Sequence, residues 1–324
     1  MKKLTAGVLF LFVFTLQSFA GSPKWSVAIT IDDMPAVIYT RGSQGTSEAA
    51  EINRKLLDAF ARHHVPATGF VNQQKVEEDG QIDARAAILE EWLNAGLTLG
   101  NHTYSHPKFS AMTLEDFEKN AIDGERTIGP LLAKHGQTLR FFRFPFNDTG
   151  GTPEKKAAFD KFLIEHRYEI ATCTEENMDW MFENVYHAAL AKGDAKHAAE
   201  IREAYLQQTR EALEQYEKMS LEMVGHPFPQ VMLMHANRLN ADSIDEVLKI
   251  FEARGYKFVS LGTAQKDAAY KTPDAFTGPW GIMWQQRWDL TLHKAAPGGP
   301  TKRGGPEPPK WVTDEYNNLP KTGY

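Results

Sequence analysis

Two histidines four residues apart, His102 and His106, sit in the run Asn101-His102-Thr103-Tyr104-Ser105-His106-Pro107, and a pair of carboxylates, Asp32-Asp33, follows the apolar run 25–31. Two neutral imidazoles and one anionic oxygen make a three-ligand set for a divalent cation, with a coordination position left over for water. A cation held that way lowers the pKa of its water toward about 7 and creates a nucleophile at neutral pH. A second carboxylate beside the first can take the water's proton. Three further clusters complement this set: Arg143-Phe144-Pro145-Phe146, Asp179-Trp180 and Leu233-Met234-His235. Arg143 can hold a carboxylate by a bidentate contact and keep it ionised. His235 can protonate a leaving group, and Asp179 can accept its other N–H and raise its pKa.

These side chains need a scaffold that brings distant positions together. The run 25–31 reads as a buried strand, and neighbouring strand residues point to opposite faces. Asp32 and Asp33 can therefore share one site only where that strand ends and the chain turns. Further strands are expected at 66–71, 97–99, 139–143, 168–172, 231–234 and 256–259. Between them lie helices at about 47–63 with Ser47 as N-cap, 83–95, 113–135 opened by a Thr113 capping box, 153–166, 181–223 and 242–254. Six or seven strand–helix alternations argue for a parallel sheet or barrel covered by helices. Each reactive cluster falls at or just after a strand end, the face on which parallel barrels build their sites. The stretch 181–223 is too long for a simple crossover and reads as a helical hairpin or lid. Its Glu- and Lys-rich part is most simply a solvated face.

The 324 residues are 42% apolar and 24% charged, ordinary globular usage with a net charge of −6,. No basic footprint for nucleic acid is present. The single cysteine, Cys173, excludes an intramolecular disulfide and a cysteine metal cluster,. Residues 1–20 carry Lys2-Lys3, an apolar run and Ser18-Phe19-Ala20, the three-part pattern of a secretory signal peptide,. The expected division is a signal peptide over 1–20, a catalytic domain over 21–262 and a C-terminal arm over 263–324 that packs on the barrel or on a neighbour. An exported protein, periplasmic or extracellular and not inserted in the membrane after cleavage, follows from that reading. Trp280, Trp284 and Trp288, spaced four apart, would form one aromatic stripe on a helix, for packing or for stacking on sugar rings,.

Taken together and in this order, the five clusters over about 25–262 resemble the polysaccharide deacetylases, carbohydrate esterase family four or the NodB homology domain. His-Thr-Tyr-Ser-His-Pro is the most specific of them. The resemblance implies an α/β fold, a distorted (β/α) barrel of about seven parallel strands, and metal-dependent removal of acetyl groups from amino sugars. By the same resemblance Asp33, His102 and His106 would bind the metal, most often Zn²⁺, with Co²⁺, Ni²⁺ or Fe²⁺ also suited to the ligands. Asp32 would be the base, oriented by Arg143, and His235 the acid, tuned by Asp179. The Phe146 N–H, beside Pro145, would stabilise the oxyanion. Trp180 and Leu233 would line the pocket for the acetyl methyl. Two positions depart from the family: Met34-Pro35 stands where glycine usually follows the aspartates, and Phe146 where tyrosine usually ends the third cluster. The expected partner is an acetylated glycan such as peptidoglycan or chitin fragments. Alternatives are a same-fold hydrolase of small or cyclic amides and a non-catalytic carbohydrate-binding protein.

Overall fold

The computed structural model describes residues 25–278, 281–292 and 305–320. The expected signal segment and Trp280 lie outside these residues. Among the described residues, eight parallel strands form the core: β1 (Ser26–Met34), β2 (Thr68–Val71), β3 (Thr98–Asn101), β4 (Phe141–Phe142), β5 (Glu169–Ile170), β6 (Glu175–Glu176), β7 (Gln230–His235) and β8 (Lys257–Phe258). Seven follow one path, β5-β4-β3-β2-β1-β7-β6, and β8 pairs with the start of β1. The two edge strands, β5 and β6, are joined by residues 171–174 alone. Five Cα steps reach at most about 18 Å, whereas a flat sheet would separate these edges by about 29 Å, six spacings of ~4.8 Å. The sheet must therefore curl, and the result is the distorted, incompletely closed barrel implied by the motif order.

Alternation along β1 sorts its side chains. Val27, Ile29 and Ile31 face outward into the main core under the helices. Ala28 faces inward onto Phe70, Phe141 and Val231, and Thr30 and Asp32 continue that inner face. The aspartate pair does not lie past the strand end, as the sequence suggested, because β1 runs on to Met34. A bulge solves the alternation problem instead. Ile31 pairs with Gly69 and Met34 with Val71, so Asp32 and Asp33 together oppose Phe70 alone, and Asp33 adopts φ 65°. The extra residue turns Asp33 to the side that Asp32 already faces.

The helical layer differs from expectation in its boundaries. The first helix begins at Gly42 with Arg41 as N-cap, leaving Ser47 inside it. The expected helix 113–135 is two, Leu114–Asp123 and Ile128–Lys134, and Thr113 does cap the first by accepting from the Asp116 N–H. The stretch 181–223 is a hairpin of helices Asp179–Ala191 and Ala195–Val224. Phe182, Val185, Ile201, Tyr205 and Leu213 sink into the main core, so the hairpin belongs to the layer that covers the barrel. The helix Trp284–Leu292 buries Trp284 and Trp288 against Phe228 and Tyr216. Of the stripe's two possible uses, these two tryptophans serve packing. The helix Lys310–Asn318 lies against Asp179–Ala191, with Val312 fully buried in the main core. No helix among the described residues is long and apolar enough to cross a membrane.

Candidate active site

At the C-terminal end of the strands a cavity of about 490 Å³ opens, lined by Asp32, Asp33, His102, His106, Phe146, Trp180, Leu233 and His235 among others. One ligand atom from each of Asp33, His102 and His106 lies within 4.8 Å of the others. Asp33 Oδ1 is 3.5 Å from His106 Nε2 and 3.8 Å from His102 Nε2. It is buried and accepts no hydrogen bond. Asp33 Oδ2 turns the other way, 3.7 Å from Lys75 Nζ. The carboxylate thus divides its oxygens between an ammonium and the two imidazoles.

The backbone fixes both rings. His102 follows β3, and its Nδ1 faces the Arg143 carbonyl at 2.8 Å, which leaves Nε2 for the cavity. Asn101 ties the same loop down. Its side-chain amide donates to Ala121 O and Tyr168 Oη, and its carbonyl oxygen accepts from the Thr103 N–H. Thr103 and His106 both lie in the left-handed region, at φ 68° and 53°. Such strain in non-glycine residues concentrates where geometry serves function. Burial pushes the His102 and His106 pKa values down to about 4 and about 3. Burial works against an ionised Asp33, but Lys75, His106 and His102 override it and hold its pKa far below the usual range. Two neutral nitrogens and one anionic oxygen, the oxygen buried without a partner, fit a divalent cation.

Asp32 is in register with His235 across β1 and β7, so the two face the cavity side by side. Arg143 is fully buried beneath them. It does not grip Asp32 bidentately, as expected. Nη1 lies 3.4 Å from Asp32 Oδ2, while Nη2 donates to Thr30 Oγ1 at 3.0 Å, and the guanidinium lies over the Phe70 ring. Nor does Arg143 hold the Asp32 pKa down: burial dominates and raises it, against Arg143 and His235. Arg143 thus sits behind the cavity with its guanidinium shared between Asp32 and Thr30. Asp179 lies behind His235 in the same way. As the first residue of its helix it accepts from the His235 N–H and faces His235 Nδ1, both at 2.8 Å. Asn237 and Asn240 also donate to it. Burial disfavours the His235 imidazolium, but Asp179, then Asp33 and Asp32, raise its pKa to about 9.

Phe146 adopts φ 55°, and its ring edge meets His106 at 4.5 Å. Pro145 is buried in the same turn and is not among the residues lining the cavity. Several lining residues were not anticipated: Lys108, Asn147, Glu176, Met178, Gly281, Met283 and Tyr316. Burial, helped by Asp179, raises the Glu176 pKa to about 7. Glu176 sits three before Asp179 and was legible as a neighbour of that cluster. Nothing local marks Gly281, Met283 or Tyr316.

Residues 20–159 match the family model described as Polysaccharide deacetylase. The chain is 24% identical over 244 residues to a peptidoglycan-N-acetylglucosamine deacetylase of Bacillus cereus, covering 74% of this chain and 67% of that one. It is 28% identical over 130 residues to a chitooligosaccharide deacetylase of Sinorhizobium fredii, covering 40% of this chain and half of that protein. Among solved structures, a mutant of a CE4 family pseudoenzyme with restored enzymatic activity superposes with TM-score 0.50 at 19% identity, over 74% of this chain and 67% of that one. That likeness concerns fold alone.

Proposed function

We propose, from the premise that residues 20–159 place this chain in the polysaccharide deacetylase family, that it is an exported, metal-dependent hydrolase removing acetyl groups, chiefly N-acetyl, from amino-sugar polymers or oligomers. The relatives named for peptidoglycan N-acetylglucosamine and for chitooligosaccharides support that substrate class. One observation carries the reading: the buried, unpartnered Asp33 oxygen faces two neutral imidazoles, next to the Asp32–His235 pair in register.

Asp33, His102 and His106 would hold the ion, with Zn²⁺ the best match to two nitrogens and an oxygen and Co²⁺, Ni²⁺ or Fe²⁺ as alternatives. A divalent cation bound there supplies polarisation of the acetyl carbonyl and a lower pKa for the attacking water. Asp32 accepts the water's proton as it attacks. Its buried carboxylate, with a raised pKa, is a stronger base than a solvated one. Arg143 and Thr30 fix the direction in which Asp32 faces. The Phe146 N–H donates to the oxygen that becomes negative. His235, kept protonated by Asp179, gives its proton to the nitrogen so that the amine departs. Leu233 and Trp180 enclose the acetyl methyl, which excludes larger acyl groups.

Acetate release from N-acetylglucosamine oligomers tests the reading. Excess chelator abolishes it, and Zn²⁺ or Co²⁺ restores it. Full activity in chelator overturns the mechanism. Sugar binding without turnover in metal-loaded protein would instead identify a carbohydrate-binding protein.

A further inference from the structure

Lys75 stands outside all five reactive clusters and has no part in the chemistry above. Yet the fold brings its ammonium to the one carboxylate among the three candidate ligands. Nζ lies 3.7 Å from Asp33 Oδ2, its only ion pair among the described residues. Lys75 is not among the residues lining the cavity, so it meets Asp33 from behind and touches nothing that enters. With its side chain only 25% exposed, it is not a free surface lysine.

The turn that carries Lys75 is stitched to the segments that carry the ligands. The Asn72 N–H donates to the Met34 carbonyl at 3.1 Å, one residue past Asp33 in the bulge. The Gln73 and Gln74 N–H groups donate to the Thr103 and Tyr104 carbonyls at 3.2 and 2.8 Å, inside the loop that joins His102 to His106. The Asn72 side-chain amide donates to the His102 and Thr103 carbonyls. Gln73 exchanges hydrogen bonds with Thr127 in both directions, and the fully buried Arg85 donates Nη1 to the Lys75 carbonyl. The helix Gln73–Glu77 has five residues and is too short to hold itself. These outside bonds hold it, and they fix Lys75 relative to all three ligands.

A carboxylate can give a cation one oxygen or both. Zn²⁺ is satisfied by four ligands and takes one oxygen beside its nitrogens. Mn²⁺ prefers an oxygen-rich octahedral shell, and a chelating carboxylate is one way to supply a further oxygen. An ammonium facing Oδ2 opposes that mode, because chelation would set two cations against the same oxygen. We propose that Lys75 is a positioning residue that reserves Oδ2, so that Asp33 offers a bound cation one oxygen and the site discriminates against ions that need more. This rests on the metal-dependent reading and deepens it.

The test needs no turnover. Metal-free protein is titrated with Zn²⁺ against a chromophoric chelator, and with Mn²⁺ by the electron paramagnetic resonance signal of the free ion. Removing a positive charge tightens both divalent ions by the same factor, and a loosened turn weakens both, so the ratio of the two dissociation constants isolates the second oxygen. In Lys75→Met the preference for Zn²⁺ over Mn²⁺ should shrink roughly tenfold, the scale on which outer partners of metal ligands act. Lys75→Ala, with no stem to place, should give the same shift, and Lys75→Arg, which keeps the charge, the ratio of the unaltered protein. Co²⁺ reports coordination number by its visible bands, intense for four or five ligands, which should weaken in Lys75→Met as a further oxygen joins. An unchanged ratio overturns the proposal, as do unaltered Co²⁺ bands or an equal shift in Lys75→Arg. Zn²⁺ bound by the unaltered protein without acetate release counts against the deacetylase reading alone, and the ratio still decides the role of Lys75. Failure of the unaltered protein to bind Zn²⁺ overturns both.

Discussion

Replacing Asp179 by Asn isolates the role assigned to the His235 pair. The amide keeps the size of the carboxylate and an acceptor oxygen for the His235 and Asn240 N–H groups, but removes the charge. Asp179 is what raises the His235 pKa to about 9 against burial, from an ordinary value of 6.5. Without it, burial is opposed only by Asp33 and Asp32, so the pKa falls from about 9 toward the ordinary 6.5, and a full return sets the scale of the effect. At pH 8 the protonated fraction then falls from about 0.9 to about 0.03, a loss of roughly 30-fold in available acid. At pH 5.5 both forms are about 0.9 protonated or close to it, so the loss nearly vanishes. The assay is kcat/KM for acetate release from pH 5 to 10, taken as the ratio of variant to unaltered protein at each pH, which cancels titrations common to both. The alkaline limb should move down by up to about two and a half pH units. A ratio equal at pH 5.5 and pH 8 would refute the proton-delivery role of His235. Stability carries the same signature. The folded pKa is above the unfolded one, so the stabilisation is full below about 6.5 and disappears as the pH rises through about 9. The shift corresponds to about 3 kcal/mol, which thermal unfolding of the two proteins across that range should show the variant to lack.

Other substitutions probe the scaffold. Gly100→Ala places a Cβ 2.5 Å from the Phe70 ring and should cost about 1–3 kcal/mol in urea unfolding. Because Phe70 lies under Arg143 and beside His102, metal affinity should fall as well. Asn101→Ala strips the buried Tyr168 hydroxyl and the Thr103 N–H of a partner. A loss of about 1–3 kcal/mol is expected for the stranded Thr103 N–H, the Tyr168 hydroxyl keeping its bond to Glu125 Oε1, together with weaker Zn²⁺ binding by competition titration. Arg143→Met removes a buried cation from beside Asp32 and should destabilise by roughly 3–5 kcal/mol at neutral pH. The penalty should shrink in acid, where Asp32 is neutral.

The reactive side chains were legible because the chemistry restricts residue type and the strand ends punctuate the sequence. Asp33, His102 and His106, Asp32, His235 and Asp179 all stand in short local patterns, and a parallel sheet or barrel follows from strand–helix alternation, the barrel itself from the resemblance. Helix ends were read less well. Ser47 is a good capping residue by type, yet the helix begins further back because the turn ahead of it is held down: Gly45 and Thr46 are buried and the Gly42 N–H donates to Asp79 Oδ2.

What the sequence determined by itself was the inventory: two histidines four apart, an aspartate pair, a further histidine and a further aspartate, each at or near a strand end. Tertiary structure alone decided how they meet. The two-against-one pairing of β1 with β2 turns Asp33 toward the cavity, because side-chain direction in a strand depends on which neighbour each residue opposes. The guanidinium of Arg143 is shared between Asp32 and Thr30, because a buried cation satisfies whatever oxygens the surrounding strands present. The part of the cavity lining supplied by Gly281, Met283 and Tyr316 is invisible in one dimension, because contacts between segments more than a hundred residues apart leave no periodicity for a local pattern to record.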